Sequence, residues 1–161
     1  MASLGAVRDS LAQQIQANAV PQLNCIAQPL DQITPPCALI LPSRSNVAKF
    51  GICLGEGITD SGGNPLTPAE FNLDILIIVA HAATTERVQR TLDQWLGYQS
   101  VASDADTGNP CVSVPFAVAQ DPTLGGSVDF AECNAVISYG PVDYNGTPYF
   151  GARISVVVST Q

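Results

Sequence analysis

Apolar residues open the chain at helical spacing: in SLGAVRDSLAQQIQANAVP, residues Leu4, Val7, Leu11 and Ile15 recur every three or four positions. The pattern predicts an amphipathic helix over residues 3–20, with Ser3 as its N-cap and Pro21 as its stop. The proline-rich CIAQPLDQITPP that follows reads as extended and irregular. CALIL, residues 37–41, is a short unbroken apolar run closed by Pro42, the signature of a buried strand. NVAKFGICLG predicts a further strand, and the Gly-rich stretch 56–68 a polar loop. Beyond it, EFNLDILIIVAH sets Phe71, Leu73, Ile75, Ile77 and Val79 on one face. The other face begins polar with Asn72 and Asp74 and turns apolar at Leu76 and Ile78, as expected of a central strand covered on both sides along its second half. The strands flanking the Gly-rich loop are expected to form a long hairpin.

TTERVQRTLDQWLG, residues 84–97, predicts the clearest helix. A threonine caps it, Glu86 lies in its first turn, Gly97 ends it, and Val88, Leu92, Trp95 and Leu96 form its buried stripe. After a polar loop over 98–110, SVPFAVAQDPTLGG predicts a short helix capped by Ser113. Two strands, 127–139 and 147–160, close the chain as a hairpin over 127–160 with Asn145-Gly146 in its turn. Phe150, Ala152, Ile154, Val156 and Val158 share one face of the last strand, and strict alternation gives its partner Ala131, Cys133, Ala135, Ile137 and Tyr139. One side of this ribbon belongs on a core and the other is available. The element order predicts an α+β fold, a mixed but mainly antiparallel sheet with helices packed on one face, in one domain spanning residues 1–161.

Composition adds a partner class. Charged residues make up only 12% of the chain, and a surface so poor in charge suits large protein contacts because few ions need desolvating. The net charge of −8 and six scattered basic residues argue against gripping nucleic acid through its phosphates. Five cysteines without C-x-x-C spacing, and no charged-then-apolar leader, fit reduced, buried thiols in a protein made in a cytoplasm. The longest apolar run, residues 75–80, is too short to cross a bilayer, so no membrane is expected as a partner.

No catalytic constellation stands out, and no cofactor or metal is expected. His81 is the single histidine; a pairing with Cys53 or with an aspartate is the enzymatic alternative. Asp104 and Asp106 resemble part of a calcium loop but lack its distal glutamate. Glu56 and Asp60 lie in a glycine-rich stretch without the Gly-Lys-Ser/Thr that would hold a phosphate.

The ordered segments DQITPPCALIL, LDILIIV, TTERVQRTLDQWL, DPTLGGSVDFAE and YGPVDYNGTPYFGARISVVV resemble the tail terminator, or tail-completion, proteins of long-tailed phages. The resemblance covers nearly the whole chain and rests on order and spacing. It implies a ring-forming virion subunit, typically of a hexamer, assembled in the bacterial cytoplasm and resident at the neck. The resemblance further implies that the ring caps the head-proximal end of the tail tube, stops tube polymerisation and meets the head connector, while DNA passes its lumen without specific binding. Its partners are itself, the major tail tube protein and a connector or head-completion protein. The alternative is another neck protein. Candidate interface residues are Glu56, Asp60 and Asn64 in one polar loop, Asp104 and Asp106 in the other, and Arg153 on the last strand, facing an acid of the next subunit.

Overall fold

A computed structural model describes residues 4–28, 31–43, 48–50, 68–81, 86–97 and 112–159. Helix α1 (Leu4–Asn18) leads to strands β1 (Asn24–Ile26), β2 (Cys37–Pro42), β3 (Ala48–Phe50) and β4 (Pro68–His81). Helices α2 (Glu86–Leu96) and α3 (Val114–Gln120) follow, then β5 (Phe130–Tyr144) and β6 (Thr147–Ser159). The strands form one sheet in the order β1-β2-β4-β6-β5, and β3 pairs β4 beyond the point where β2 ends. The β1–β2 pair is parallel and every other pair antiparallel, so the fold is the expected α+β with a mixed, mainly antiparallel sheet.

All three helices pack on one face. Val7, Leu11 and Ile15 of α1, Leu92 and Trp95 of α2, and Val114 and Val118 of α3 join the inward residues of β4 and β6 in one apolar cluster. β4 contributes Phe71, Leu73, Ile75, Ile77 and Val79 to it, as the alternation required. Leu76 and Ile78 face the other way, in a smaller cluster with Cys37, Leu39 and Tyr149. Both sides of β4's second half are therefore buried. Polar bonds pin the helices: Trp95 Nε1 donates to Pro21 O at 2.8 Å, and Gln14 Nε2 donates to Ala117 O at 3.0 Å. Val20 and Val112 exchange backbone hydrogen bonds of 3.0 and 2.9 Å, tying the exit of α1 to the entry of α3. Ser113 caps α3 as expected, its Oγ accepting from Phe116 N.

The long hairpin is confirmed where it is described, since β3 pairs β4 antiparallel; the remaining residues of the predicted strand lie outside the described residues. The closing hairpin differs from expectation in two ways. β5 does not stop at Tyr139 but runs through Gly140 and Pro141 to Tyr144. Proline is accommodated because β5 is an outer strand, where a missing ladder donor costs nothing. Nor does β5 alternate strictly. Register shifts between Cys133 and Ala135 and between Val136 and Ser138 insert two extra residues, so Val136 packs on the core while Ala135 and Ile137 are exposed. The turn is as expected, with Asn145 and Gly146 both at positive φ, 49° and 80°.

β4 and β6 meet unusually closely. A register shift between Ile78 and Ala80 bulges β4 against Gly151, where an added Cβ would collide with the Ile77 carbonyl. The Gly151→Ala variant is expected to lose roughly 1–3 kcal/mol, read as a lower urea midpoint. A variant as stable as the parent would show that the strands separate freely at this point.

Candidate functional site

The two edges of the sheet are treated differently, and that difference defines the site. On the β1 side, helix α1 closes the edge with its own side chains. Gln16 Oε1 accepts from Cys25 N at 3.4 Å. Arg8 donates from Nε to Ala27 O at 2.9 Å and from a terminal nitrogen to Ile40 O at 2.8 Å, just past the point where β1 stops pairing. Partial burial lowers the Arg8 pKa from its ordinary value, with neighbouring Asp9 acting in the opposite sense.

On the other side, no described strand pairs the outer edge of β5. Its 15 residues carry a row of outward backbone groups, broken by the two bulges. Such an edge is a template for another chain. Large apolar side chains stand exposed on it: Phe130 is 49% exposed and Ile137 54%; on α3, Phe116 is 58% exposed. The strand itself is held firmly. Tyr139 donates its hydroxyl to Asp93 of α2 at 3.0 Å and meets the Phe150 ring edge-on, with centroids 5.6 Å apart.

Between α3 and the start of β5 lies a groove of about 350 Å³, lined by Pro115, Val118, Ala119, Pro122, Ala131 and Cys133 among others. The loop after α3 frames one end. Asp121 accepts from the backbone and hydroxyl of Thr123 and from Gly125 N, at 3.2, 2.6 and 2.8 Å. Pro122 O then accepts from Ala131 N at 2.7 Å, occupying the first outward position of the β5 edge. Of the residues lining the groove, only Glu132 is charged. From residue 112 to 159 the acids are Asp121, Asp129, Glu132 and Asp143, and Arg153 is the only basic residue.

That arginine is committed elsewhere. Expected on an open face and paired with a neighbouring subunit, Arg153 instead donates to Asp74 of its own chain at 2.8 Å, and both residues are buried, at 9% and 2% exposed. The pair lies in the centre of the sheet, on the face away from the helices, joining β6 to β4. Of the other candidate interface residues, Glu56, Asp60, Asn64, Asp104 and Asp106 lie outside the described residues, as does Cys53.

His81, at the end of β4, touches one aromatic ring. Its exposed ring stacks on Tyr149, with centroids 5.1 Å apart. Among the described residues, no group of three His, Cys, Asp or Glu could hold a metal ion, and no helix is long and apolar enough to cross a membrane. Burial pushes the thiols of Cys25 and Cys133 up to about 12 and that of Cys37 to about 11, which keeps them protonated and poorly nucleophilic. Cys25 and Cys37 sit on adjacent strands but belong to the clusters on opposite faces of the sheet. Phe116 and Phe130 escaped the sequence reading, although Phe116 falls off the buried stripe of α3 formed by Val114, Ala117 and Val118. The sequence and the fold were compared with known proteins: no family model, no curated protein and no solved structure matches this chain.

Asp74→Ala leaves a buried guanidinium without its counter-ion and is expected to cost roughly 3–5 kcal/mol, whereas Asp74→Leu combined with Arg153→Met recovers most of that loss in urea unfolding. A single variant no worse than the double would contradict a buried pair. The hydrogen bond from the Thr123 side chain, then those from the Gly125 and Thr123 backbones, lower the Asp121 pKa. Because the folded-state pKa lies below the unfolded one, the contribution is complete above the ordinary carboxylate pKa of about 3.9 and is lost as pH falls through the lowered value. Asp121→Asn should therefore show a shallower loss of stability on acidification than the parent; equal slopes would contradict the loop's electrostatics.

Proposed function

We propose that this protein is a structural subunit of a phage virion: a ring that caps the head-proximal end of the tail tube, stops its polymerisation and joins the tail to the head connector. The observation that carries the reading is the long outer edge of β5, which no strand among the described residues pairs and which carries exposed Phe130 and Ile137. A sheet blocked at one edge by helix side chains and, among the described residues, unpaired at the other has an edge to offer a partner. The charge-poor composition agrees, since little ionic desolvation opposes broad protein contacts. The order of sequence segments supplies the family to which the reading belongs. A closed ring needs two unlike, mutually matching patches on each subunit. The polar stretches 56–68 and 100–110 are the proposed contacts with neighbouring subunits, and the β5 edge is the surface offered to another virion component. A net charge of −8 suits a lumen through which DNA slides without binding. The role makes and breaks no bond, so it requires no cofactor.

The test is to add the purified protein to growing tubes of the tail tube protein encoded in the same genome and to measure tube length by electron microscopy. Elongation should halt and rings of several subunits should appear by light scattering. Ile137→Lys is expected to fold normally, because the side chain is an exposed bulge residue, yet to lose the arrest. Unchanged tube growth with the parent protein would refute the terminator role, and a ring-forming protein without arrest would favour a different neck position.

A further inference from the structure

We infer that the groove between α3 and β5 is the receptor for an extended segment of a partner protein, one carrying small apolar side chains at alternate positions and flanked by lysine or arginine. The inference rests on the reading of this edge as an assembly surface and names what docks there. Three features converge. The first is backbone pairing. Every second residue of an antiparallel strand turns its N–H and C=O to the same side. Ala131 is turned outward, since its N–H reaches Pro122 O, so the next outward position is Cys133, at the groove. A strand laid along β5 from Cys133 meets backbone groups that no described strand pairs. This is β-augmentation beside a helix, in which main-chain bonds provide affinity and alternate side chains provide specificity.

The second is the shape of the groove. Its walls are Pro115, Val118 and Ala119 on α3 and Ala131 and Cys133 on β5, and about 350 Å³ suits one or two side chains of valine size. Exposed Phe130, at the start of β5, lines it as well and adds apolar area. The third is charge. Glu132 is the only charged residue among those lining the groove, and Asp129 lies one residue before β5. A basic segment is therefore favoured over an acidic one, and a second copy of this acidic chain is a poor occupant.

The probe is a fluorescein-labelled peptide, Lys-Lys-Thr-Val-Thr-Val-Thr-Val-Lys-Lys, titrated into the full-length protein and followed by anisotropy and by hydrogen exchange. Binding should weaken at least about tenfold when glutamate replaces the lysines, when proline replaces the middle valine, and when Ala119→Lys fills the groove from an exposed helix position. Exchange should slow within residues 132–139. No binding, equal binding of the glutamate or proline peptide, or protection confined to other segments overturns the inference. The oligomeric state, measured on the same sample, separates it from the assembly reading: rings that ignore the peptide defeat the docking inference alone, whereas a monomer that binds it defeats the ring alone.

Discussion

The closeness of β4 and β6 is the constraint on which the rest of the molecule depends. These two strands run antiparallel from Glu70 opposite Ser159 to His81 opposite Tyr149 and carry the core residues of both sheet faces. Their approach is close enough at one point that only glycine fits, at Gly151 beneath the Ile77 carbonyl. Nearby, Arg153 and Asp74 neutralise each other out of water on the face away from the helices. A buried pair of this kind is a modest source of stability but a strict one: each partner requires the other. It fixes the register of the two strands, because sliding either by one residue would send a charge into the apolar helix-side core.

Fixing that register determines where the outer strand goes. The Asn145-Gly146 turn folds β5 along the other side of β6, so β5 is the outermost of the described strands. At the opposite boundary, α1 spends Arg8 and Gln16 on the carbonyls and amide that would otherwise lie open. The asymmetry is physical. One edge has been closed by side chains from a helix packed beside it, and the other is anchored from behind by Tyr139 while its outer groups and apolar neighbours face outward. Bulges at Asn134 and Ile137 twist that edge and limit how much of it another strand can cover, a device that discourages indiscriminate sheet growth.

Much of this architecture was legible in the residues. The stripe Leu4, Val7, Leu11, Ile15 and the stripe Leu92, Trp95, Leu96 became helices whose apolar sides meet the sheet, because helical periodicity leaves few alternatives for so regular a pattern. The two-sided burial of β4 could be read from the change at Leu76 and Ile78. What escaped was whatever depends on partners distant in sequence. Alternation misplaced Ala135 and Ile137 because a bulge leaves no local signature in a run of small and β-branched residues. Gly140-Pro141 resembled a strand end because the exemption that an outer strand grants to proline is a property of the sheet. Arg153 resembled an interface residue because its counter-ion lies 79 positions away. The groove beside β5 was invisible for the same reason, being formed by two segments whose proximity only the packing of α3 creates.

The measurement that bears most directly on the account is cryo-electron microscopy of virus tails assembled with this protein. The account predicts a collar of identical subunits at the head-proximal tip, with a strand from a different protein lying along β5 beside α3. A collar in which that edge faces open solvent, or tails that end without this protein, would contradict it.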